Sequence, residues 1–119
     1  NRVAGFVNAN SLFQRVIPYC LDCKVDIEVY NRNRIDLYNK LTDLGFKCVK
    51  PVGAFYMFPQ TPIEDDVAFC NAAKEFNLLL VPGSGFGCKA HMRLSYCVSH
   101  DTIINSFPAF GKLAAKFIK

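Results

Sequence analysis

The chain contains no tryptophan, few charges and no long apolar run. Charged residues make up 20% of its 119 residues, against about 25% in a typical soluble domain. No stretch approaches the roughly 20 unbroken apolar residues that cross a bilayer, so no membrane association is expected. With 51% hydrophobic residues, the chain can bury enough apolar surface to offset its ordering entropy, which excludes a disordered protein.

A dense basic surface is also missing. The net charge is +4, and the basic residues are scattered along two predicted helices. They are Arg32, Arg34 and Lys40 on one helix and Lys112, Lys116 and Lys119 on the other. A nucleic-acid surface usually presents a denser stripe, so we expect solvated helix faces and no nucleic-acid partner.

No secretory signal is recognisable, because the first residues have no basic region before an apolar stretch. There is no initiator methionine either, and we expect an excised segment or a processed chain in the cytoplasm. In that compartment the six cysteines should be free thiols rather than a disulfide framework. They are Cys20, Cys23, Cys48, Cys70, Cys88 and Cys97.

Cys20 and Cys23 have the spacing of a CxxC motif. No second CxxC and no nearby histidine completes a zinc set. A redox motif normally opens a helix after a strand, whereas this one closes a predicted helix. A metal site is therefore not expected, although a zinc-linked interaction module remains an alternative.

Capping residues and helical spacing predict four helices. They are Leu12–Cys20 with Ser11 as cap and Pro18 as limit, a helix from Asp22 or Asp26 to Gly45, a helix from the caps at 61–66 to Phe76, and a helix from Ser99 or Asp101 to the end of the chain, bent at Pro108. The apolar positions of the second helix are Ile27, Tyr30, Leu37, Leu41 and Leu44.

Four short strands are predicted at 46–49, 54–58, 78–81 and 92–98. The run at 78–81 is continuously apolar, which predicts burial on both faces. In the last strand Arg93, Ser95 and Cys97 alternate with apolar residues. This order of elements predicts an α/β (α+β) two-layer sandwich, with helices packed on a small mixed or antiparallel sheet of three or four strands. No linker divides the chain, so we expect one domain over residues 1–119, helical to residue 45, with the sheet and further helices at 46–119.

A glycine-rich loop, Gly83–Gly87, follows the third predicted strand. Its glycine spacing differs from the dinucleotide-binding fingerprint, and a strand rather than a helix comes next. We therefore expect a tightly bent backbone that approaches another group closely.

Arg93 lies in an otherwise apolar strand directly after that loop. Burial of an unpaired guanidinium is costly, so Arg93 is expected to have an anionic partner. The partner is either an internal carboxylate or the carboxylate of a ligand, which the guanidinium matches in a bidentate geometry.

Ser99, His100 and Asp101 are the residue types of a catalytic triad. Adjacent residues cannot place nucleophile, base and orienting carboxylate in line. We expect them instead to begin the last helix.

Three segments together resemble the C-terminal, small domain of fold-type I, class I/II pyridoxal-phosphate-dependent aminotransferases, the aspartate aminotransferase superfamily. They are Gly53–Tyr56 (GAFY), Leu80–Gly87 (LVPGSGFG) and Met92–Cys97 (MRLSYC). Gly5–Gln14 also resembles the entry to the helix that joins the two domains of these enzymes. The resemblance covers essentially the whole chain.

The resemblance implies that Arg93 binds the substrate α-carboxylate. The residues Gly83, Ser84, Gly85 and Phe86 would form a loop near the active site. The parent would be a homodimer that moves an amino group from an amino acid to a 2-oxo acid with pyridoxal phosphate. Aspartate, aromatic and alanine-type substrates all remain open.

The resemblance also implies what this chain lacks. The Schiff-base lysine and the other cofactor-binding groups belong to a large domain outside it, so the isolated chain is expected to be inactive and to bind no cofactor. A non-enzymatic amino-acid-binding domain that uses Arg93 is the alternative. Apolar side chains that would face the large domain are expected to be exposed. They are Phe6, Val7, Leu12, Phe13 and the tip Gly85–Phe86.

Overall fold

The computed structural model describes residues 10–53 and 55–118, which form four α-helices and a three-stranded antiparallel sheet. The helices are α1 (Ser11–Val16), α2 (Ile27–Asp43), α3 (Asp66–Ala73) and α4 (His100–Phe117), and the strands are β1 (Tyr56–Met57), β2 (Val81–Pro82) and β3 (Met92–Ser95). Short 3-10 turns follow α1 (Ile17–Tyr19), α3 (Lys74–Phe76) and β2 (Gly83–Phe86). The strand order is β1-β3-β2, which confirms the predicted α/β class with a small antiparallel sheet. The single-domain assignment over 1–119 stays a prediction.

Helix α2 begins and ends at residues that the sequence marks. Asp26 is its N-cap, and its Oδ1 accepts a hydrogen bond from the Glu28 N–H at 3.1 Å. Gly45 follows the helix with φ of 90°, a conformation that glycine adopts without strain. The Phe46 N–H then donates to the Leu41 carbonyl at 3.0 Å, which satisfies a carbonyl that the end of the helix leaves free. Asp26 and Gly45 are thus confirmed as the two ends.

Helix α1 is shorter than predicted and buries no side chain. Asn10, rather than Ser11, caps it by accepting a hydrogen bond from the Leu12 N–H at 2.9 Å. The helix ends at Val16, and Pro18 lies in the 3-10 turn that follows, because proline offers no N–H to continue an α-helix. Leu12 and Phe13 are 66% and 62% exposed, as predicted, whereas Phe6 and Val7 lie outside the described residues.

The hydrophobic core lies between one face of the sheet and the helices. On β3, Met92 and Leu94 are buried while Arg93 is half-buried and Ser95 is exposed, so the predicted alternation is confirmed. The aromatic ring of Phe69 on α3 packs edge-on against Phe117 at a centroid distance of 5.1 Å. The other buried side chains of this core include Leu37, Leu41, Met57, Ile103, Phe110 and Leu113. One face of the sheet is therefore covered, and the other is left open.

The predicted strands are shorter than expected or absent: β1 covers only Tyr56–Met57 of 54–58, β2 begins at Val81, and β3 ends at Ser95 rather than at residue 98. Residues 46–49 are irregular, joined to the sheet region by the hydrogen bond from the Gln60 N–H to the Lys47 carbonyl at 2.8 Å. Burial of 78–81 on both faces is wrong: Leu78 and Leu80 are buried, but Leu79 is 85% exposed. Leu78, Leu79 and Leu80 form the extended approach to β2, which begins at Val81, and only one side of this segment packs on the core.

The buried face of α2 also differs from the predicted apolar face. Leu37 and Leu41 are buried, but Ile27 is 71% exposed. Asn33, which the apolar pattern omits, is fully buried at the contact of α2 with α4. Its amide Nδ2 donates to the carbonyls of Tyr96 at 3.1 Å and Val98 at 2.7 Å. A buried amide is stable here because its hydrogen bonds are made.

Among the described residues, no helix is long and apolar enough to cross a bilayer.

Candidate functional site

Arg93 lies at the centre of the open face of the sheet. β3 is the middle strand, and Arg93 pairs with Val81 of β2 while Ser95 pairs with Tyr56 of β1. Because side chains alternate along a strand, the inward turns of Met92 and Leu94 place Arg93 on the opposite side. The strand is therefore held by Met92 and Leu94 in the core, and the Arg93 side chain lies outside the core.

The Arg93 guanidinium contacts two aromatic rings. Its Cζ is 4.5 Å from the ring centroid of Tyr56 and 4.3 Å from that of Phe86. The Phe86 ring also packs edge-on against Phe58, at 6.0 Å. Cation–π attraction stabilises a guanidinium over a ring face, so both rings help to hold the Arg93 side chain in place.

Within residues 10–53 and 55–118, no carboxylate pairs with Arg93. The ion pairs found there join Arg32 to Asp36, His100 to Asp36, and Lys116 to Glu75. No hydrogen bond from the guanidinium to a described residue is found either. Of the two expected partners, an internal carboxylate is therefore not observed in the described part of the chain, and the N–H edge of Arg93 is open to a ligand.

The glycine-rich loop is a tight turn that carries Phe86. The Gly83 N–H donates to the His91 carbonyl at 2.8 Å, and the Cys88 N–H donates to the Gly83 carbonyl at 3.0 Å. A Cβ added to Gly83 would lie 2.3 Å from the Cys88 carbonyl oxygen, whereas one added to Gly85 meets nothing within 4 Å. The expected close approach is thus confirmed, and the approached group is the backbone of this same chain.

Asp66 anchors the turn from the side of helix α3. It is 5% exposed, and its Oδ2 accepts a hydrogen bond from the Ser84 N–H at 2.7 Å. The neighbouring Asp65 caps α3 by accepting a hydrogen bond from the Ala68 N–H at 2.8 Å. Sequence reasoning treated both acids as part of the helix start and missed this link. The signal was the second of two consecutive acids, since one alone satisfies the cap.

Ser99, His100 and Asp101 begin helix α4, as predicted. Ser99 is the N-cap and accepts from the Thr102 N–H. The His100 Nδ1 lies 3.0 Å from the Asn33 Oδ1, to which it donates, and its Nε2 lies 3.8 Å from Asp36. The histidine is thus engaged with helix α2 and forms no catalytic triad with its neighbours.

Cys20 and Cys23 are both exposed at the turn after α1. Among the described residues all the cysteines are free thiols, and no group of three or more metal-ligating side chains is found. The zinc-module alternative therefore has no further protein ligand in the described part of the chain. Burial raises the pKa of the Cys48 thiol to about 11 and, with a nearby Asp66 charge, that of Cys70 to about 11.

A separate cleft of about 650 Å³ lies beside the start of α2. Its lining includes Tyr30, Arg34, Phe55 and Cys97. The Arg34 guanidinium is already occupied, since it donates to the Pro51 carbonyl at 2.7 Å and to the Asn31 Oδ1 at 2.6 Å. A hydrogen bond with the Cys97 thiol raises the pKa of Tyr30. Arg34 thus holds the loop at residue 51 by a hydrogen bond, whereas no described residue accepts a hydrogen bond from the Arg93 guanidinium.

The known proteins that this chain resembles in sequence and in structure are aminotransferases. Residues 14–105 match the family model of aminotransferase class I and II. The chain is 43% identical over 76 residues to an aspartate aminotransferase of Geobacillus stearothermophilus, covering 56% of this chain and 19% of that protein. A crystal structure of an amino transferase from Eubacterium rectale superposes with a TM-score of 0.88 at 47% identity, covering 99% of this chain and 30% of that one.

A third similar structure is that of aspartate aminotransferase from Thermus thermophilus with maleate. It superposes with a TM-score of 0.69 at 35% identity and covers 72% of this chain and 23% of that one. The chain thus spans between a fifth and a third of the length of these relatives.

Proposed function

This chain belongs to the aminotransferase class I and II family, and from that membership we propose that it supplies the substrate-carboxylate site of a pyridoxal-phosphate-dependent aminotransferase. The enzyme would transfer an amino group from an L-amino acid to a 2-oxo acid. The observation that carries the proposal is the Arg93 guanidinium, which is held between two rings with its N–H edge unpaired among the described residues.

The geometry of Arg93 suits a planar anion such as a carboxylate better than a neutral ligand. A guanidinium donates in its plane, and two parallel N–H bonds match the two oxygens of a carboxylate. Because Tyr56 and Phe86 contact the guanidinium, a ligand would reach the charge along its N–H edge. Both the amino-acid and the 2-oxo-acid substrates carry a carboxylate beside the reacting carbon, and one arginine can serve both.

The relatives support a carboxylate-bearing ligand. The Geobacillus protein is named as an aspartate aminotransferase, and the Thermus structure is described with maleate, a dicarboxylate. The role of Arg93 and of the loop Gly83, Ser84, Gly85 and Phe86 in this chain is our proposal.

The residues around Arg93 fit a carboxylate but not the cofactor itself. Pyridoxal phosphate needs an amine for its aldehyde and a donor cradle for its phosphate, and it supplies an electron sink at the reacting carbon when bound. The side chains that contact the guanidinium are aromatic. Lys40, Lys50 and Lys116 lie against other rings, and Lys74 donates to Asn71. We propose that the cofactor is held by parts of the enzyme other than the described residues.

The direct test is to replace Arg93 with lysine or alanine in an aminotransferase that contains this chain. Hydrogen bonds to charged groups contribute about 1.5–3 kcal/mol each, so loss of the pair should raise KM at least tenfold for every α-amino acid. Lysine keeps the charge but loses the fork and should recover only part of the affinity. Arg32→Ala is the matched control, because Arg32 is 69% exposed and paired with Asp36. An unchanged KM in the Arg93 variants would overturn the proposal.

The alternative is a non-enzymatic domain that binds an amino acid through Arg93. Calorimetric titration of the 119-residue chain with amino acids separates the two functions. Saturable binding in the micromolar range would favour the binding domain, whereas the enzyme proposal expects none. The enzyme proposal also expects the chain alone, mixed with pyridoxal phosphate, to give no transamination and no specific shift of the cofactor absorbance.

The homodimer and the cytoplasmic location belong to the same proposal. Free thiols at the described cysteines fit a reducing compartment. Sedimentation of the enzyme that contains this chain would test the assembly.

A further inference from the structure

We propose that Phe86 is a positioning residue for the carboxylate site, held in place by the Asp66 carboxylate through the Gly83–Phe86 turn. This inference rests on the proposed function of Arg93 and adds to it. Phe86 touches neither substrate nor cofactor in this proposal. It acts by fixing the plane of the guanidinium that does.

First, two aromatic rings, those of Tyr56 and Phe86, restrict the Arg93 guanidinium. An arginine side chain is long and samples many rotamers, so an exposed one points in many directions. Here the guanidinium lies between Tyr56 and Phe86, with its Cζ 4.5 Å and 4.3 Å from the two ring centroids. Contact with both rings restricts the orientations that the guanidinium can adopt. The N–H edge therefore points in a defined direction before a ligand arrives, which reduces the entropy lost on binding.

The second step is what holds Phe86, since its ring is 52% exposed. The ring packs edge-on against Phe58 at 6.0 Å. The backbone of Phe86 belongs to the Gly83–Phe86 turn. At the start of this turn, the Gly83 N–H donates to the His91 carbonyl at 2.8 Å. An exposed ring on a loop is fixed only if the loop itself is fixed.

The third step is the anchor of the turn in the core. The Ser84 N–H donates to the Asp66 Oδ2 at 2.7 Å, and Asp66 is 5% exposed. Its carboxylate lies in the first turn of α3, where the helix dipole stabilises a negative charge. A continuous set of contacts thus runs from the buried start of α3 through Ser84 and Phe86 to Arg93.

The experiment compares Phe86→Leu and Tyr56→Leu with Phe55→Leu in an aminotransferase that contains this chain. Phe55 is the matched control, since it is 50% exposed and its ring contacts Tyr30 rather than Arg93. Leucine removes the π face and keeps apolar bulk. From the usual strength of a cation–π contact, we expect Phe86→Leu to raise KM and the inhibition constant of maleate by about two- to fivefold. The kcat of Phe86→Leu should stay within about twofold of the wild-type value. Phe86→Tyr keeps an aromatic face and should have the wild-type KM. Phe55→Leu should change neither KM nor the inhibition constant.

The Asp66 link has its own pair of variants. Asp66→Ala removes the acceptor of the Ser84 N–H and should raise KM as Phe86→Leu does. Asp66→Asn keeps a carbonyl oxygen at that place and should leave KM close to the wild-type value. If Asp66→Ala does not fold, the comparison of Asp66→Asn with the exposed Phe86 variants still tests the proposal, because equal KM increases in Asp66→Asn and Phe86→Leu would contradict a hydrogen-bond anchor.

A double variant separates this inference from the proposed function. In an Arg93→Ala background, Phe86→Leu should cause no further change in KM, because no guanidinium remains to be positioned. If Arg93→Ala itself leaves KM unchanged, the proposed function fails. If Arg93→Ala raises KM but Phe86→Leu leaves KM and maleate inhibition unchanged, or lowers only thermal stability, the positioning role alone is overturned.

Discussion

Replacing Asn33 with alanine should lower the free energy of unfolding more than replacing any exposed polar residue of the same helix with alanine. The Asn33 side chain is fully buried and joins three parts of the molecule. It donates to the Tyr96 and Val98 carbonyls at the exit of β3, and it accepts from His100 at the start of α4. Helix α2 is therefore joined to the central strand and to the last helix by one amide.

The magnitude follows from the burial of those partners. A buried polar group that loses its hydrogen-bond partner costs about 1–3 kcal/mol, and the Tyr96 carbonyl loses its amide donor in a buried setting. The Val98 carbonyl and the His100 ring are partly exposed, so water can replace the amide there at about 0.5–1 kcal/mol each. The total is about 2–5 kcal/mol, a large part of the roughly 5–15 kcal/mol that stabilises a domain.

The assay is urea unfolding of the 119-residue chain, followed by far-ultraviolet circular dichroism. Asn39→Ala is the control, because Asn39 is an exposed asparagine on the same helix. Both variants gain the same helix propensity from alanine, roughly 0.6 kcal/mol, so the difference between them isolates the buried amide. The corresponding fall in Tm is roughly 4 °C per kcal/mol. Unfolding free energies that differ by less than about 0.5 kcal/mol between the two variants would refute the stabilising role of the buried amide.

Further predictions concern the glycine turn and the buried thiols. Gly83→Ala should lower the free energy of unfolding by about 1–3 kcal/mol or more, because its Cβ would meet a carbonyl oxygen at 2.3 Å, whereas Gly85→Ala should be near neutral by thermal denaturation. Equal effects of the two would contradict the close approach. Because the Cys48 pKa is raised from 9.0 to about 11, its contribution to stability is present below pH 9 and is lost as the pH rises through about 11, and Cys48→Ala should flatten this fall. Cys48 should also react more slowly than Cys20 with iodoacetamide at pH 8, and equal rates would argue against its burial.

Local patterns predicted the ends of helix α2 and the faces of the central strand. Asp26 and Gly45 were identifiable because a cap and a positive φ are requirements of the adjacent backbone alone. The alternation of Arg93 and Ser95 with buried neighbours was identifiable because a strand turns successive side chains to opposite faces. In each case the physical cause lies within a few residues of the effect.

The predictions that failed needed information from elsewhere in the chain. Residues 46–49 have the composition of a strand, but a strand forms only where a neighbouring backbone pairs with it. The apolar run at 78–81 was predicted to be covered on both faces, but Leu79 and Val81 are exposed while Leu78 and Leu80 are buried. Whether a second layer covers a sheet depends on the packing of all the helices.

The candidate site divides in the same way. The sequence alone determined that a single arginine sits in an apolar strand after a bent glycine loop, that its neighbours point into the core, and that the ordered motifs resemble one family of enzymes. Only the tertiary structure decided that Tyr56 and Phe86 contact the guanidinium, that Asp66 bonds the turn that carries Phe86, and that Asn33 bonds the carbonyls that follow β3. These partners come from segments far apart in the chain, and the folding of helices α2 and α3 onto one sheet brings them together. Local spacing in the sequence does not predict such contacts, because they depend on distances between segments that are set only when the core forms.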